Sequence, residues 1–252
     1  NTASTGNTKY INEDLVNTSS VPVEVVYTLN VNASVGTCVT TEEIKVLVKP
    51  DPDVNSPLNI SVCHGEILEY EITADVPNTS FVWSQNQNID INSGNVANGN
   101  TNTISQLFEN DSNIPQTVIY DITGTYDGCV GPTYQLEVIV LPEPIFIQSN
   151  DVNTPIIACS GQEFTQVLSV NNDQNAAVSW SRNTTLGLQN EFASGTNSIV
   201  ETLVNTTTNS ITVEYNIGII TSDGCSLPSS NTLYVTVSPT PTLTNAANNP
   251  TA

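Results

Sequence analysis

Leu233-Tyr-Val-Thr-Val-Ser-Pro-Thr-Pro241 is the stretch of sequence that decides the fold. Apolar residues occupy every second position from Leu233 to Val237, which is the pattern of a strand with one buried face, and Pro-x-Pro follows it at once. The same arrangement ends at Pro52 and at Pro144, so the first prolines of the three elements are separated by 142 − 50 = 92 and 239 − 142 = 97 residues. A period near 95 residues predicts a tandem array of homologous domains.

A second alternating run lies upstream of each of these strands, and one tyrosine recurs at an inward position of every copy. Asp127-Gly128 and Asp223-Gly224 separate the two strands in the later copies, and Asp-Gly is a strong hairpin signal because both residues tolerate positive φ. Recurrent large aromatic residues at alternating positions predict the core of each repeat. These predicted core residues are Tyr27, Tyr120, Tyr215, Trp83 and Trp180.

The front half of the repeat occurs only twice, because its Cys-x-Gly and Trp elements have no counterpart ahead of the first Pro-x-Pro. Each complete repeat offers about seven short strands with turn signals between them and no helical periodicity. We therefore expect an all-β chain of tandem immunoglobulin-like antiparallel β-sandwich repeats, arranged as an elongated rod because proline stiffens the short connectors. The predicted divisions are the C-terminal half of a repeat at 1–52, complete repeats at 53–145 and 146–241, and a linker or start of the next repeat at 242–252.

The five cysteines recur at two positions of the repeat. The separations 129 − 63 = 66 and 225 − 159 = 66 are equal, which predicts the disulfides Cys63–Cys129 and Cys159–Cys225 and leaves Cys38 unpaired because its partner would precede Asn1. Buried free thiols and zinc ligands are the alternatives; zinc is disfavoured because there is one histidine and no Cys-x-x-Cys pair. Oxidised pairs place the protein outside the cytosol.

The charge balance limits the partners of the chain. Lys and Arg number 4 against 25 Asp and Glu, a formal net charge of −21, so nucleic acid and anionic membrane surfaces are both repelled. No apolar run approaches the roughly 20 residues that span a bilayer, so we expect no membrane insertion in this segment. The sequence has no Met and opens without a signal-peptide pattern, and we expect it to be a piece of a longer protein.

Catalytic chemistry finds little support in the sequence. The one histidine, His64, lies beside a cysteine expected to be oxidised and is replaced by Ser160 in the next repeat, so we expect a solvated loop side chain rather than a proton shuttle. No position carries a matched acidic pair in both repeats, and no phosphate-binding or dinucleotide motif occurs. We therefore predict no enzyme activity, no catalytic residues and no cofactor.

Calcium is the one ligand hypothesis that the sequence offers. Asp51 and Asp53 lie at one junction between repeats and Glu143 at the next, and oxygen ligands at such junctions could stiffen the array. The third junction has Thr240 instead, and no Asp-x-Asp-x-Asp-Gly loop is present. Solvated linker charges are the favoured interpretation.

The combined motifs resemble a known family. They match the PKD-like repeats of very large cell-surface adhesins of gliding Bacteroidota at Cys159, Gly161, Trp180, 203–207, Tyr215, Gly224, Cys225 and 235–241, and the earlier copies carry much of the same pattern. The resemblance implies an extracellular, cell-surface protein that is exported by type IX secretion and attached to the outer membrane through its parent chain.

Two functions from different classes follow. The first is a non-catalytic spacer and adhesion module of a surface adhesin, with a possible part in gliding motility, whose partners are neighbouring repeats of the same chain and external surfaces or polysaccharide. The alternative is a carbohydrate-binding or accessory domain of a secreted hydrolase. Sugar-binding modules stack rings on exposed aromatic platforms, whereas the recurrence of Trp83 and Trp180 at one alternating position indicates core residues, which favours the first function.

Overall fold

The described part of the chain consists of β-strands joined by turns and loops. The computed structural model describes residues 6, 10–32, 37–86, 98–173, 175–226 and 231–242. The predicted linker at 242–252 therefore lies, apart from its first residue, outside the described residues. Gly36, which precedes Cys38 as Gly128 and Gly224 precede the later cysteines, also lies outside them. The fold divides into two compact units, Asn1–Pro142 and Glu143–Ala252.

Sixteen strands are defined in the described part of the chain. They are β1 Val23–Asn32, β2 Val39–Val48, β3 Asn59–Cys63, β4 Glu66–Glu71, β5 Ser80–Gln85, β6 Asn98–Gly99, β7 Thr103–Phe108, β8 Gln116–Tyr126, β9 Cys129–Leu141, β10 Ile156–Cys159, β11 Glu163–Val167, β12 Ala177–Arg182, β13 Ala193–Thr196, β14 Ser198–Thr202, β15 Ile211–Ile220 and β16 Asn231–Ser238. None of the described residues forms a helix with the length and hydropathy that crossing a membrane requires.

The complete repeat of the first unit is a sandwich of two sheets. One sheet has the order β3-β9-β8-β5-β6 and the other consists of β4 and β7. The complete repeat of the second unit has the same plan, with β10-β16-β15-β12-β13 against β11-β14. The prediction of tandem all-β sandwiches is confirmed. One pair in each repeat departs from the antiparallel pattern, because β3 runs parallel to β9 and β10 runs parallel to β16.

Each sandwich closes its own hydrophobic core between the two sheets. The alternating residues of the last two strands are fully buried, as the period of two requires: Val118, Tyr120, Ile122, Leu136, Val138 and Val140 in one repeat and Val213, Tyr215, Leu233, Val235 and Val237 in the other. Trp83 and Trp180 are also buried and lie edge-on to the core tyrosines, at ring-centroid distances of 5.9 and 5.6 Å. These geometries are the favourable ones for aromatic pairs.

The half repeat forms a two-stranded antiparallel hairpin of β1 and β2. The hairpin residues that correspond to the buried core residues of the complete repeats are less buried. Val25, Tyr27 and Leu29 are half-buried and Ile44 is 43% exposed. The predicted core residue Tyr27 is therefore not buried like Tyr120 and Tyr215, because the described hairpin has no second sheet against it. Its hydroxyl donates to Glu13 instead, at 3.0 Å.

Candidate functional site

The histidine of the chain has a structural role. His64 follows β3, and its Nδ1 accepts a hydrogen bond from the backbone N–H of Asn110 at 3.0 Å. In the next repeat the hydroxyl of Ser160 accepts the same bond from the backbone of Asn205, also at 3.0 Å. The expectation of a solvated loop side chain is therefore wrong for His64, which is half-buried. Because imidazole and hydroxyl serve one backbone group equally, this position does not require proton transfer.

The residues bonded to His64 and Ser160 belong to an asparagine motif that recurs in all three copies and is buried in the two complete repeats. The side-chain N–H groups of Asn110 donate to the carbonyls of Ile114 and Val140, at 2.9 and 2.8 Å. Its Oδ1 accepts from the backbone and the hydroxyl of Ser112, at 3.0 and 2.6 Å. The side chain thus ties the turn after β7 to the last strand.

Asn205 repeats this network with Asn209, Val237 and Thr207, and Asn17 repeats it with Val21, Val48 and Ser19. A buried amide with four satisfied hydrogen bonds stabilises a loop that has few apolar contacts of its own. Residues 203–207, Leu-Val-Asn-Thr-Thr, match a family motif in the sequence, but the motif did not predict this role. The signal was the recurrence of Asn-x-Ser/Thr at 93 and 95 residues.

A second buried polar cluster lies under the tyrosine of each core. In the second unit Arg182 is almost fully buried and donates from Nε and Nη2 to the carboxylate of Glu201, at 2.8 and 2.7 Å. The Tyr215 hydroxyl donates to the same carboxylate at 2.6 Å. Burial raises the pKa of Tyr215, and the hydrogen bond to the carboxylate raises it further. The bond to Glu201 also raises the pKa of Arg182.

The first unit builds the corresponding cluster from neutral groups. Gln106 donates to Gln85 at 3.0 Å, and the Tyr120 hydroxyl donates to the side-chain oxygen of Gln106. The pKa of Tyr120 is raised by burial. An ion pair in one repeat and an amide pair in the other occupy the same place, so the cluster is a part of the core that tolerates either pair.

The tryptophans cannot act as exposed sugar-binding platforms. Each indole N–H donates to a backbone carbonyl, Trp83 to Thr101 at 3.2 Å and Trp180 to Ser198 at 2.8 Å. The recurrent glycines Gly99 and Gly195 face these rings, and a Cβ built on either would lie 2.5 or 2.9 Å from a ring atom. Glycine is required there because only hydrogen leaves room for the indole.

The calcium candidates do not assemble into a cation site in the structure. Asp51, Asp53 and Glu143 are exposed, and the carboxylate of Asp53 accepts a hydrogen bond from the Tyr134 hydroxyl at 2.7 Å. That bond raises the pKa of Tyr134. No group of three His, Cys, Asp or Glu side chains suited to a metal ion occurs among the residues that the structure describes.

The predicted disulfides are not formed. Cys129 and Cys159 are free thiols, as is Cys38, whereas Cys63 and Cys225 are disulfide-bonded. The reason is strand direction. Cys63 pairs with the last residue of β9 while Cys129 is its first residue, so the two lie 141 − 129 = 12 residues apart along one strand, or about 40 Å. A disulfide needs Cα atoms within about 7 Å, so equal sequence spacing was misleading.

The most distinctive exposed feature is the loop of residues 183–192 between β12 and β13. Backbone hydrogen bonds attach this loop to the segment that follows β14. The N–H of Gln189 donates to the Val204 carbonyl and the N–H of Thr206 donates to the Gly187 carbonyl, both at 2.9 Å. This anchored loop presents Leu186 with 97% of its surface exposed. Phe192, where the loop ends, is 61% exposed.

An open concavity of about 500 Å³ lies beside this loop. Its wall combines hydroxyl, amide and carboxylate groups with one apolar side chain: Asn183, Thr184, Thr185, Leu186, Thr212, Glu214 and Asn216. Such a surface can hydrogen-bond a hydroxyl-rich polymer and cover part of it with an apolar contact. Glycoside hydrolysis uses a pair of carboxyl groups, and this wall holds one.

Comparisons with known proteins agree with this architecture. The family model described as the PKD-like domain matches residues 60–144 and 156–241, more than half of the chain. No curated protein matches the sequence.

Three solved structures are among those similar to this chain. The IG1+IG2 fragment of DIP-gamma is 15% identical, with 75% of this chain and 97% of that one covered and a TM-score of 0.32. Extracellular domains 3–5 of Drosophila OTK are 10% identical, with 81% and 67% covered and a TM-score of 0.38. The D00-D0 domain of intimin is 13% identical, with 74% and 98% covered and a TM-score of 0.34.

Proposed function

Because the chain belongs to the PKD-like domain family, we propose that it is a non-catalytic segment of a large secreted cell-surface adhesin and acts as a structural spacer and adhesion module. One observation carries the proposal: consecutive repeats close separate cores with the same framework, from the buried tryptophan and tyrosine to the asparagine motif. Duplicating a self-contained module lengthens a chain without altering each domain, which is what a spacer requires.

The fold is typically a non-catalytic module, and the side chains with catalytic potential support that role here. The His64 ring bonds a backbone amide, and the Arg182–Glu201 pair is buried beneath the core tyrosine. Each has an evident structural task. We extend this to the proposal that the segment has no enzyme activity.

We place the adhesive surface at the 183–192 loop and its concavity. Loops at the ends of a β-sandwich commonly carry binding function because the sheets hold them in place. Leu186 contributes an apolar tip, while Thr212, Glu214 and Asn216 of β15 offer hydrogen-bonding groups beside it. The net charge of −21 argues against anionic partners and favours neutral polysaccharide or an abiotic surface.

The setting that we propose is the cell exterior, with the parent chain attached to the outer membrane, exported by type IX secretion and used in gliding motility. The PKD-like fold together with disulfide-bonded cysteines supports an extracellular location. A carbohydrate-binding domain of a secreted hydrolase is less well supported, because both tryptophans are buried and donate to backbone carbonyls.

Microspheres coated with the chain in a flow cell test the proposal. Beads carrying the intact chain are expected to be retained on uncharged polystyrene or on an agarose film at shear rates that remove albumin-coated beads. Leu186→Ser should lower retention several-fold. Val130→Ser is the matched control, since Val130 is a similarly apolar side chain, 62% exposed, in the other repeat, and its removal should leave retention unchanged.

Each result has a distinct meaning. Retention no better than albumin on both surfaces would contradict an adhesive role for the segment. Equal losses for the two variants would remove the 183–192 loop from the proposal. Release of soluble sugar from the agarose film would contradict the non-catalytic assignment.

A further inference from the structure

The cysteines occupy opposite ends of every complete repeat. First-position cysteines, Cys63 and Cys159, end the first strand of a repeat. Second-position cysteines, Cys38, Cys129 and Cys225, lie at the turn before the last strand. In the second unit Cys159 pairs in register with Ser238 at the end of β16, whereas Cys225 is hydrogen-bonded to Thr221, just beyond the far end of β15.

This separation rules out a bridge within the second unit as well. Ile211 pairs with Val237 near the Cys159 end, and Ile220 forms a bridge with Ser226 at the Cys225 end. The two ends of β15 are 220 − 211 = 9 residues apart, or about 30 Å. A disulfide partner for either cysteine must therefore come from outside its own repeat.

Equivalent cysteines of the two complete repeats differ in oxidation state. Cys63 is disulfide-bonded, while its counterpart Cys159 is a free, exposed thiol. Cys225 is disulfide-bonded, while its counterpart Cys129 is a free, half-buried thiol. One first-position and one second-position cysteine are thus oxidised, and the same two positions remain available in the sister repeats.

The junction within the first unit shows which positions meet. Lys49 directly follows β2 and is the counterpart of Leu141 and Ser238, the residues that pair with the first-position cysteines. Its Nζ lies 2.7 Å from the Asp127 carboxylate and 3.1 Å from the Asp127 carbonyl. Asp127 stands two residues before Cys129. The end of one repeat that holds a first-position cysteine therefore adjoins the second-position cysteine of the repeat that follows.

We propose that Cys159 and Cys129 are half-sites of disulfides that link consecutive repeats, the first-position cysteine of one repeat bonding the second-position cysteine of the next. Cys159 then bonds the second-position cysteine of a following copy. Cys129 and Cys38 bond first-position cysteines of preceding copies. The partner is another copy of the same repeat, and the linkage is independent of whether the array serves adhesion.

The chemistry is a thiol oxidation. Two thiols lose two protons and two electrons as one S–S bond forms, and the electrons reduce a disulfide oxidant, such as a disulfide oxidoreductase or oxidised glutathione, to its two thiols. Exposure of Cys159 lets such an oxidant reach it. In an array every repeat would carry two such links, one to each neighbour.

Extending the chain by one repeat tests the linkage. In the extended protein, residues 1–241 are followed by a second copy of residues 145–241, so that the native Pro-x-Pro segment connects the two repeats. The repeat that contains Cys159 is then followed by a repeat with a new second-position cysteine, the copied Cys225. After folding in a glutathione redox buffer, non-reducing peptide mapping is expected to find Cys159 bonded to the copied Cys225. Cys159→Ser should leave the copied Cys225 open to alkylation, whereas Cys38→Ser should leave the new bridge intact.

The opposing results are equally definite. The proposal is overturned if Cys159 is fully alkylated after folding, if it bonds the Cys225 of its own repeat, or if Cys159→Ser leaves the copied Cys225 oxidised. Because Cys159 is exposed, the serine variant should fold like the parent, which circular dichroism and the unfolding midpoint will verify.

Discussion

Replacing the buried ion pair of the second unit by the amide pair of the first gives a stringent test of how these cores are built. Glu201→Gln removes the charge that neutralises Arg182, whose side chain is 2% exposed. Removing one partner of a buried pair costs about 3 to 5 kcal/mol, because the remaining charge stays desolvated. We expect Glu201→Gln to destabilise the second repeat by that amount.

The double variant Arg182→Gln/Glu201→Gln should recover most of the loss. It reproduces the Gln85–Gln106 pair, which lies under Tyr120 as Arg182 and Glu201 lie under Tyr215. Neutral replacements of buried ion pairs are commonly near-neutral in stability, so we expect the double variant within about 1 kcal/mol of the parent. The second substitution therefore recovers about 2 to 4 kcal/mol of the loss caused by Glu201→Gln, and the two single losses are far from additive.

Urea unfolding followed by tryptophan fluorescence measures these values. A Trp83→Phe background leaves Trp180 to report on the second repeat alone, and urea avoids the charge screening of guanidinium salts. The matched control is reciprocal and uses a Trp180→Phe background, so that Trp83 reports on the first repeat: Gln106→Glu should destabilise that repeat and Gln85→Arg/Gln106→Glu should restore it. Additive single losses in either repeat would show that the pair does not act as a unit and would refute the reasoning.

The remaining predictions use urea unfolding followed by circular dichroism, which needs no tryptophan. Asn110→Ala and Asn205→Ala should each lower the free energy of unfolding by about 2 to 4 kcal/mol, because each removes a side-chain amide that makes four hydrogen bonds and leaves its partners unsatisfied. A loss below about 1 kcal/mol would contradict the role of this asparagine in holding the loop. Trp83→Ala and Trp180→Ala should each cost about 3 to 5 kcal/mol by opening a core cavity, whereas no change would indicate an exposed ring. Burial raises the pKa of Tyr215 above its unfolded value, so the native state retains its proton longer and stability should fall as pH rises above about 10; Tyr215→Phe should flatten that slope. Calcium and magnesium at equal ionic strength should shift the midpoint equally, and a calcium-specific rise would show a site that the described carboxylates do not form.

The strands and the core were predictable because alternation reports burial directly. Leu233, Val235 and Val237 alternate in sequence and are all fully buried, and the recurrent tyrosines and tryptophans mark the same inward faces. The glycines opposite the indoles, Gly99 and Gly195, lie 43 and 44 residues before the next Pro-x-Pro, although only the structure explains them. Tyr27 belongs to the same alternating pattern but is only half-buried, because alternation identifies the apolar face of a strand and not the element that packs against it.

The cysteine pairing could not be predicted from spacing. Cys63 and Cys129 are 66 residues apart in the sequence, but this spacing does not reveal that the two cysteines lie at opposite ends of the sandwich. The buried polar clusters were missed for a related reason. Gln106 and Glu201 are ordinary polar residues in sequence, and only the pairing of β4 with β7 and β11 with β14 turns them inward.

Single-molecule pulling tests most directly the claim that the chain is a structural spacer built of separate sandwiches. In reducing buffer, so that no disulfide limits extension, the chain stretched from its ends should give two unfolding peaks, one for each complete repeat. The 85 residues of one family match extend to about 30 nm, so each peak should add about 25 nm after the folded length is subtracted. One peak of twice that length, or extension without resistance, would contradict the claim.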